Sequence, residues 1–256
     1  MAFRPLVLLI GIFFSVTISF AQTTTYKHKV FWGRLVLADT INSRLKWELL
    51  LQKRTQNANP ESKNMFEAPH FTNVWLWFNY TVSENLKVSI SPFGYFYNHI
   101  FDGKPGDAQL PSTKEFRWCF RLEERTKIQS INIFNRQTVE YRIRDLENNH
   151  DCVPNWRIRY MIRAEKNIIS KPKPLTLSVS NEVFLQFGKA VKNYPNVFDQ
   201  NRIYGGLSYE VLKNIKLSVG YLKIYQQRNS GKEYDDADCL WIILTIENLF
   251  SQFRRG

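Results

Sequence analysis

The stretch Trp156-Arg157-Ile158-Arg159-Tyr160-Met161-Ile162-Arg163-Ala164-Glu165 decides the fold. Successive side chains on a β-strand point to opposite faces. Trp156, Ile158, Tyr160, Ile162 and Ala164 therefore share an apolar face, and Arg157, Arg159, Arg163 and Glu165 share a charged one. A soluble sheet could bury the first and wet the second. The same alternation recurs along an exported chain, with turns between, and so predicts a transmembrane β-barrel, greasy outside and charged inside. Energy assigns the faces. A Lys or Arg on the lipid face at mid-bilayer costs roughly 2–4 kcal/mol, and three on one strand would consume about the whole stability of an ordinary domain.

Further segments repeat the pattern. Leu45, Trp47, Leu49 and Leu51 oppose Arg44, Lys46, Glu48, Gln52 and Arg54, and Phe116, Trp118, Phe120 and Leu122 oppose Glu115, Arg117, Arg121, Glu123 and Arg125. Val139, Tyr141 and Ile143 oppose Glu140, Arg142 and Arg144; Ile203, Leu207, Tyr209 and Val211 oppose Arg202, Ser208 and Glu210. The last strand presents Leu240, Ile242, Leu244 and Ile246. Strands are expected over 29–38, 44–55, 71–82, 87–98, 115–125, 131–144, 155–168, 175–187, 200–211, 216–228 and 238–248. Connections alternate between short and long, which predicts periplasmic turns and outer loops. Aromatic residues at strand ends (Phe71, Tyr80, Tyr95, Tyr97, Trp156, Tyr225) read as interfacial girdles.

The expected fold is an all-β antiparallel barrel of about ten to twelve strands. Both termini are expected in the periplasm, which demands an even count and leaves 29–38 needing an upstream partner or lying outside the wall. Pro92 suggests a bulge in its strand. Lys223 and Asn181 fall on otherwise apolar faces.

At the N-terminus, Arg4, the apolar run from Leu6 to Phe14 and Ser19-Phe20-Ala21 read as a signal peptide over 1–21, leaving a barrel over 22–256. The apolar run is too short to span as a helix. Cys119, Cys152 and Cys239 form neither a disulfide framework nor a zinc pattern, although Cys152 and Cys239 would both lie near the outer rim.

Net charge is +12. The five long connections nevertheless hold six lysines against eleven carboxylates, net −5, so the positive excess lies in the strands and short turns. This argues against nucleic acid as a partner, despite the overall basicity. Expected partners are outer-membrane lipid and either a small anionic solute or an envelope protein.

Phe198-Asp199-Gln200-Asn201-Arg202-Ile203-Tyr204-Gly205-Gly206-Leu207-Ser208-Tyr209 and Val219-Gly220-Tyr221-Leu222, preceded in order by Arg121-Leu122-Glu123-Glu124-Arg125, Val139-Glu140-Tyr141-Arg142-Ile143-Arg144, Trp156-Arg157-Ile158-Arg159-Tyr160 and Asn181-Glu182-Val183-Phe184, resemble the domain of unknown function 2490 family. Its members are outer-membrane proteins of Bacteroidota-type bacteria. The resemblance implies barrel fold and bacterial outer-membrane location, with no activity attached.

The candidate functional set is the predicted lumen network: Arg117, Arg121, Glu123, Arg125, Glu140, Arg142, Arg144, Arg157, Arg159, Arg163, Glu165, Glu182, Arg202 and Glu210. It supports either a structural polar core tied by Arg–carboxylate pairs or a narrow anion-preferring pore, both non-enzymatic. Some arginines lack a glutamate by count, which favours an anion as the missing partner. The alternative is a rim hydrolase acting on lipid or peptide through His99 or His150, which requires a Ser, Asp or Asn within hydrogen-bond reach of the imidazole. Glu233 with Asp235-Asp236 could hold a divalent cation, but the ligands lack the required spacing. No cofactor is expected.

Overall fold

The computed structural model describes residues 24–170, 173–192 and 194–251. The predicted signal peptide lies outside them. Eleven strands form one closed barrel: β1 (Thr24–Thr40), β2 (Leu45–Gln56), β3 (Ala68–Ser83), β4 (Leu86–Asn98), β5 (Thr113–Ile128), β6 (Ile131–Asp145), β7 (Cys152–Ile169), β8 (Leu175–Gly188), β9 (Phe198–Leu212), β10 (Ile215–Gln227) and β11 (Glu233–Ile246). Each strand pairs antiparallel with its chain neighbour. The barrel closes through β1 and β11, which run parallel in unbroken register from Thr24↔Glu233 to Leu37↔Ile246.

That seam corrects two expectations. The predicted segment 29–38 belongs to the wall, hydrogen-bonded to β2 on one side and β11 on the other. An odd number of alternating strands leaves the first and last pointing the same way. The start of β1 therefore lies beside the start of β11, at the long-loop end, rather than at the short-turn end where β11 finishes. The short-turn end of the seam is fixed by Asp39, whose carboxylate accepts from the Phe250 and Ser251 amides at 2.6 and 2.9 Å.

The faces follow the sequence alternation. Trp156 is 49% exposed while its neighbour Arg157 is 4% exposed; both fit a strand whose odd and even residues see different solvents. Phe116, Trp118, Phe120, Ile158, Ile162, Leu207 and Leu240 are likewise exposed on the outer wall. β4 is irregular where Pro92 sits: its pairing with β5 jumps from Ser91 to Tyr95.

Both outward polar exceptions have partners. Asn181 and Asn201 exchange side-chain hydrogen bonds at 3.2 and 3.3 Å across β8 and β9. Lys223 lies between Asp236 (2.6 Å) and Asp238 (2.9 Å), and Lys29 reaches Asp238 at 2.6 Å. This ion cluster lies toward the long-loop end, where charge on the lipid face costs about 0–1 kcal/mol.

The interior is not uniformly charged. Val30, Trp32, Phe101, Leu222, Ile224, Ala237 and Cys239 make one buried apolar cluster, and Leu50, Phe71, Trp75, Trp77, Phe96 and Cys119 another. Phe71, read as a girdle residue, is thus a lumen residue: it shares the inward parity of Asn73, Trp75 and Trp77 on β3. All three cysteines are free, Cys119 and Cys239 buried and Cys152 exposed.

Candidate functional site

A cavity of about 1050 Å³ lies inside the barrel. Its walls include Lys46, Glu48, Lys216 and Glu247 near the short turns and Lys104, Glu147 and Asn229 near the long loops. Twelve arginines line it: Arg34, Arg54, Arg117, Arg121, Arg136, Arg142, Arg144, Arg157, Arg159, Arg163, Arg202 and Arg228. Apart from Arg228, which is paired at the outer mouth, they fall into two groups according to what holds them.

The first group is a neutralised lattice on β5 to β8. Glu115 receives Arg142 through two bonds, Nε at 2.6 Å and Nη2 at 2.8 Å, with Arg117 bonded to the same carboxylate and Arg144 at 3.6 Å. Glu140, fully buried, accepts from Arg157 at 2.6 Å and Arg159 at 2.7 Å, with Arg117 at 3.7 Å. Arg159 continues to Glu182 at 2.6 Å, and Arg157 to Asp199 at 3.0 Å. Glu123 binds Arg136 at 2.8 Å and Lys87 at 2.7 Å, and Arg163 reaches Glu165 at 3.0 Å. The i, i+2 spacing of the sequence puts these groups on one face of each strand. Cross-strand register then sets Glu140 opposite Arg157 and Glu182 beside Arg159's ring of donors.

The second group has no carboxylate within 4 Å among the described residues: Arg34, Arg54, Arg121 and Arg202. Neutral groups hold them. Arg34 donates from Nε and Nη2 to Gln52 Oε1 at 2.8 and 2.6 Å, and Arg202 Nε donates to Gln200 Oε1 at 2.7 Å. The Arg54 guanidinium lies between the rings of Trp32 (3.5 Å) and Phe71 (3.8 Å). Arg121 lies 3.7 Å over Trp77. The buried Nε atoms of Arg54 and Arg121 have no hydrogen-bond partner.

Of the predicted network, Arg117, Glu123, Glu140, Arg142, Arg144, Arg157, Arg159, Arg163, Glu165 and Glu182 lie in the lattice, and Arg121 and Arg202 stand outside it, with no carboxylate within 4 Å among the described residues. Two members are elsewhere. Arg125 is exposed near the β5–β6 turn, donating to Asn132 at 2.8 Å, and half-buried Glu210 lies at the short-turn end, outside the cavity wall. Arg34, Arg54, Glu115, Arg136 and Asp199 were not in the predicted set. Glu115, Arg136 and Arg54 had the right strand parity to be found; Asp199 sits where a loop becomes a strand, and periodicity has no purchase there.

The signature around 198–209 also acquires physical content. Asp199 holds Arg157, Gln200 holds Arg202, and Asn201 answers Asn181. Gly206 faces Gly220 on the next strand, and the Tyr204 ring lies across both, so a methyl group at either would overlap it. Tyr204 in turn meets Trp241 edge-on at 5.4 Å.

The outer mouth is narrowed by the β4–β5 loop. Phe101 folds inward and stacks between His28 (4.6 Å) and His70 (4.0 Å). Arg228 ties the loop to the seam through Asp107 at 2.7 Å and Asp235 at 3.1 Å, and Asp235 also meets His28 Nε2 at 3.0 Å. In this loop, burial pushes the Asp102 carboxyl up, with nearby Asp107 adding to it. The Glu233 carboxylate, hydrogen-bonded to Lys104, raises that amine.

The rim histidines are differently placed from what a hydrolase requires. His99 stacks edge-on with Tyr97 at 5.1 Å, and the His150 backbone amide, not its ring, bonds Asp145 at 3.2 Å. Among the described residues neither imidazole has a hydrogen-bonded Ser, Asp or Asn. Asp235 and Asp236 point to opposite faces of β11, each engaged by a cation, and no group of three or more metal-suited side chains occurs among the described residues.

A family model described as "Protein of unknown function (DUF2490)" matches residues 30–235. No curated protein matches the sequence. Among solved structures, the NanC porin aligns over 86% of this chain and 97% of its own at 12% identity, TM-score 0.49. The β-domain of the Bordetella autotransporter BrkA covers 72% and 78% at 12% identity, TM-score 0.43. LpxR from Salmonella typhimurium covers 78% and 83% at 8% identity, TM-score 0.44.

Proposed function

The chain belongs to the family of unknown function DUF2490, and from that premise we propose that it is a non-enzymatic barrel of the bacterial outer membrane whose lumen admits small anions. The location is supported by an outer wall of exposed Trp, Phe, Ile and Leu side chains, a surface that hydrocarbon stabilises and water does not. Surrounding lipid is then the partner of that wall.

The single observation carrying the anion preference is the set of four cavity-lining arginines without a carboxylate. A guanidinium stays charged at any ordinary pH. Uncompensated positive charge along an enclosed path of reduced dielectric favours an anion and opposes a cation. The lattice on β5 to β8 has the other job: it fills and ties together the opposite wall. A catalytic reading lacks support at His99 and His150, where the group that would orient the imidazole is missing.

The test is conductance of the purified barrel in a planar bilayer under a potassium chloride gradient. Small discrete steps with a reversal potential on the chloride side are expected. A folded, inserted protein that stays silent, or that prefers potassium, overturns the reading.

A further inference from the structure

Arginines inside a barrel ordinarily have acidic partners, because leaving a guanidinium desolvated and uncompensated is costly. Three of the four exceptions gather around two indoles. Arg54 lies 3.5 Å over Trp32 and Arg202 lies 5.2 Å over the same ring. Arg34 lies 4.7 Å over Trp241, which meets Trp32 edge-on at 5.3 Å. Two of these cations are gripped by a side-chain amide where a carboxylate of nearly the same shape would fit. Gln52 and Gln200, each 4% exposed, accept from Arg34 and Arg202. An amide oxygen aims the guanidinium without cancelling its charge. The Gln52 amide nitrogen and the Arg54 Nε are both buried and unpartnered, so donors remain on offer beside the three positive charges.

We infer that the space bounded by Arg34, Arg54 and Arg202 is a binding site for a compact oxyanion carrying two negative charges, of the phosphate or sulfate type. The inference rests on the reading of the lumen as anion-admitting and adds to it a stopping place and a ligand class. Charge sets the valence, since a single negative charge would leave most of the cluster uncompensated. The donors set the geometry. Aromatic rings cover both faces of Arg54, which leaves its planar edge, and guanidinium edges match the oxygens of tetrahedral oxyanions and carboxylates in paired N–H···O bonds. A spherical halide uses that fork poorly. Sugar rings are disfavoured, because the indole faces on which they would stack are already occupied by guanidinium groups.

The experiment is calorimetric titration of the full-length folded barrel in detergent with inorganic phosphate, in a constant chloride background. One saturable event per barrel is expected. Gln52→Glu and Gln200→Glu should each weaken it by about tenfold or more, since each supplies internally the negative charge that the ligand brings. Both variants keep the acceptor oxygen in place, so their folding, followed by circular dichroism, should match the parent. Absence of saturable binding in the parent, or unchanged affinity in both folded variants, overturns the site. Reversal potentials on the same samples separate this from the broader reading: anion selectivity without saturable phosphate binding removes the site and leaves the passage, whereas binding without conductance removes the passage and leaves the site.

Discussion

Two walls of one lumen use the same residue, arginine, in opposite ways. On β5 to β8 every cavity-lining guanidinium except Arg121 meets a carboxylate, and several carboxylates serve more than one: Glu140 takes Arg157 and Arg159, and Glu115 takes Arg142, Arg117 and, more distantly, Arg144. Around β1, β2 and β9 the guanidiniums are held by Gln52, Gln200 and aromatic faces. The first arrangement makes a rigid wall with little net field. The second keeps charge available at a defined place. The difference teaches that counting arginines says little about a pore; what matters is which neighbours neutralise them and which only orient them.

Substitutions can break or sharpen this contrast. The largest effect is expected in the neutralised wall. Glu140→Gln leaves Arg157, Arg159 and Arg117 sharing one carboxylate fewer in a buried place. Breaking such a pairing costs about 3–5 kcal/mol, and Asp199 and Glu182 should keep the loss near the lower figure. Urea unfolding of the barrel in lipid would measure it, and a loss below about 1 kcal/mol would mean the lattice is not structural. The smaller effect on stability is expected in the other wall. Arg54→Gln gives up stacking on Trp32 and Phe71, worth about 0.5–2 kcal/mol, but relieves repulsion from Arg34 and Arg202. Its stability should stay within about 1 kcal/mol of the parent in the same unfolding assay, while its chloride preference in the bilayer falls. A large destabilisation would place Arg54 with the structural arginines and erase the contrast.

Much of this architecture was legible in the chain. Alternation alone assigned Trp156, Ile158 and Ile162 outward and Arg157, Arg159 and Arg163 inward, because the cost of a lipid-facing arginine allows only one answer. The break at Pro92 was legible for a similar reason, the missing backbone donor. Parity was not. Whether β1 closes on β11 depends on a parallel ladder between residues more than two hundred positions apart, and nothing local in 24–40 records it. The excess of arginine over glutamate was visible as a count, but the identity of the unpaired members was not. It depends on cross-strand register and on two glutamines whose role appears only beside their guanidiniums. The aromatic interior was also hidden. Trp32, Trp75, Trp77 and Phe71 sit among inward positions that a charged-lumen pattern does not anticipate, and three of them, Trp32, Phe71 and Trp77, cover arginines that carboxylates do not.

The most direct measurement is a crystal of the barrel soaked in selenate, with data collected at the selenium edge. Anomalous density is expected beside Arg54 and Arg202, within hydrogen-bond distance of their edges, and none within the Glu115–Glu140 lattice, where every guanidinium already has its anion. Selenate scattered along the lattice, or absent beside Arg54 and Arg202 at full occupancy of the soak, would contradict the division of the lumen into a neutralised wall and a receiving one.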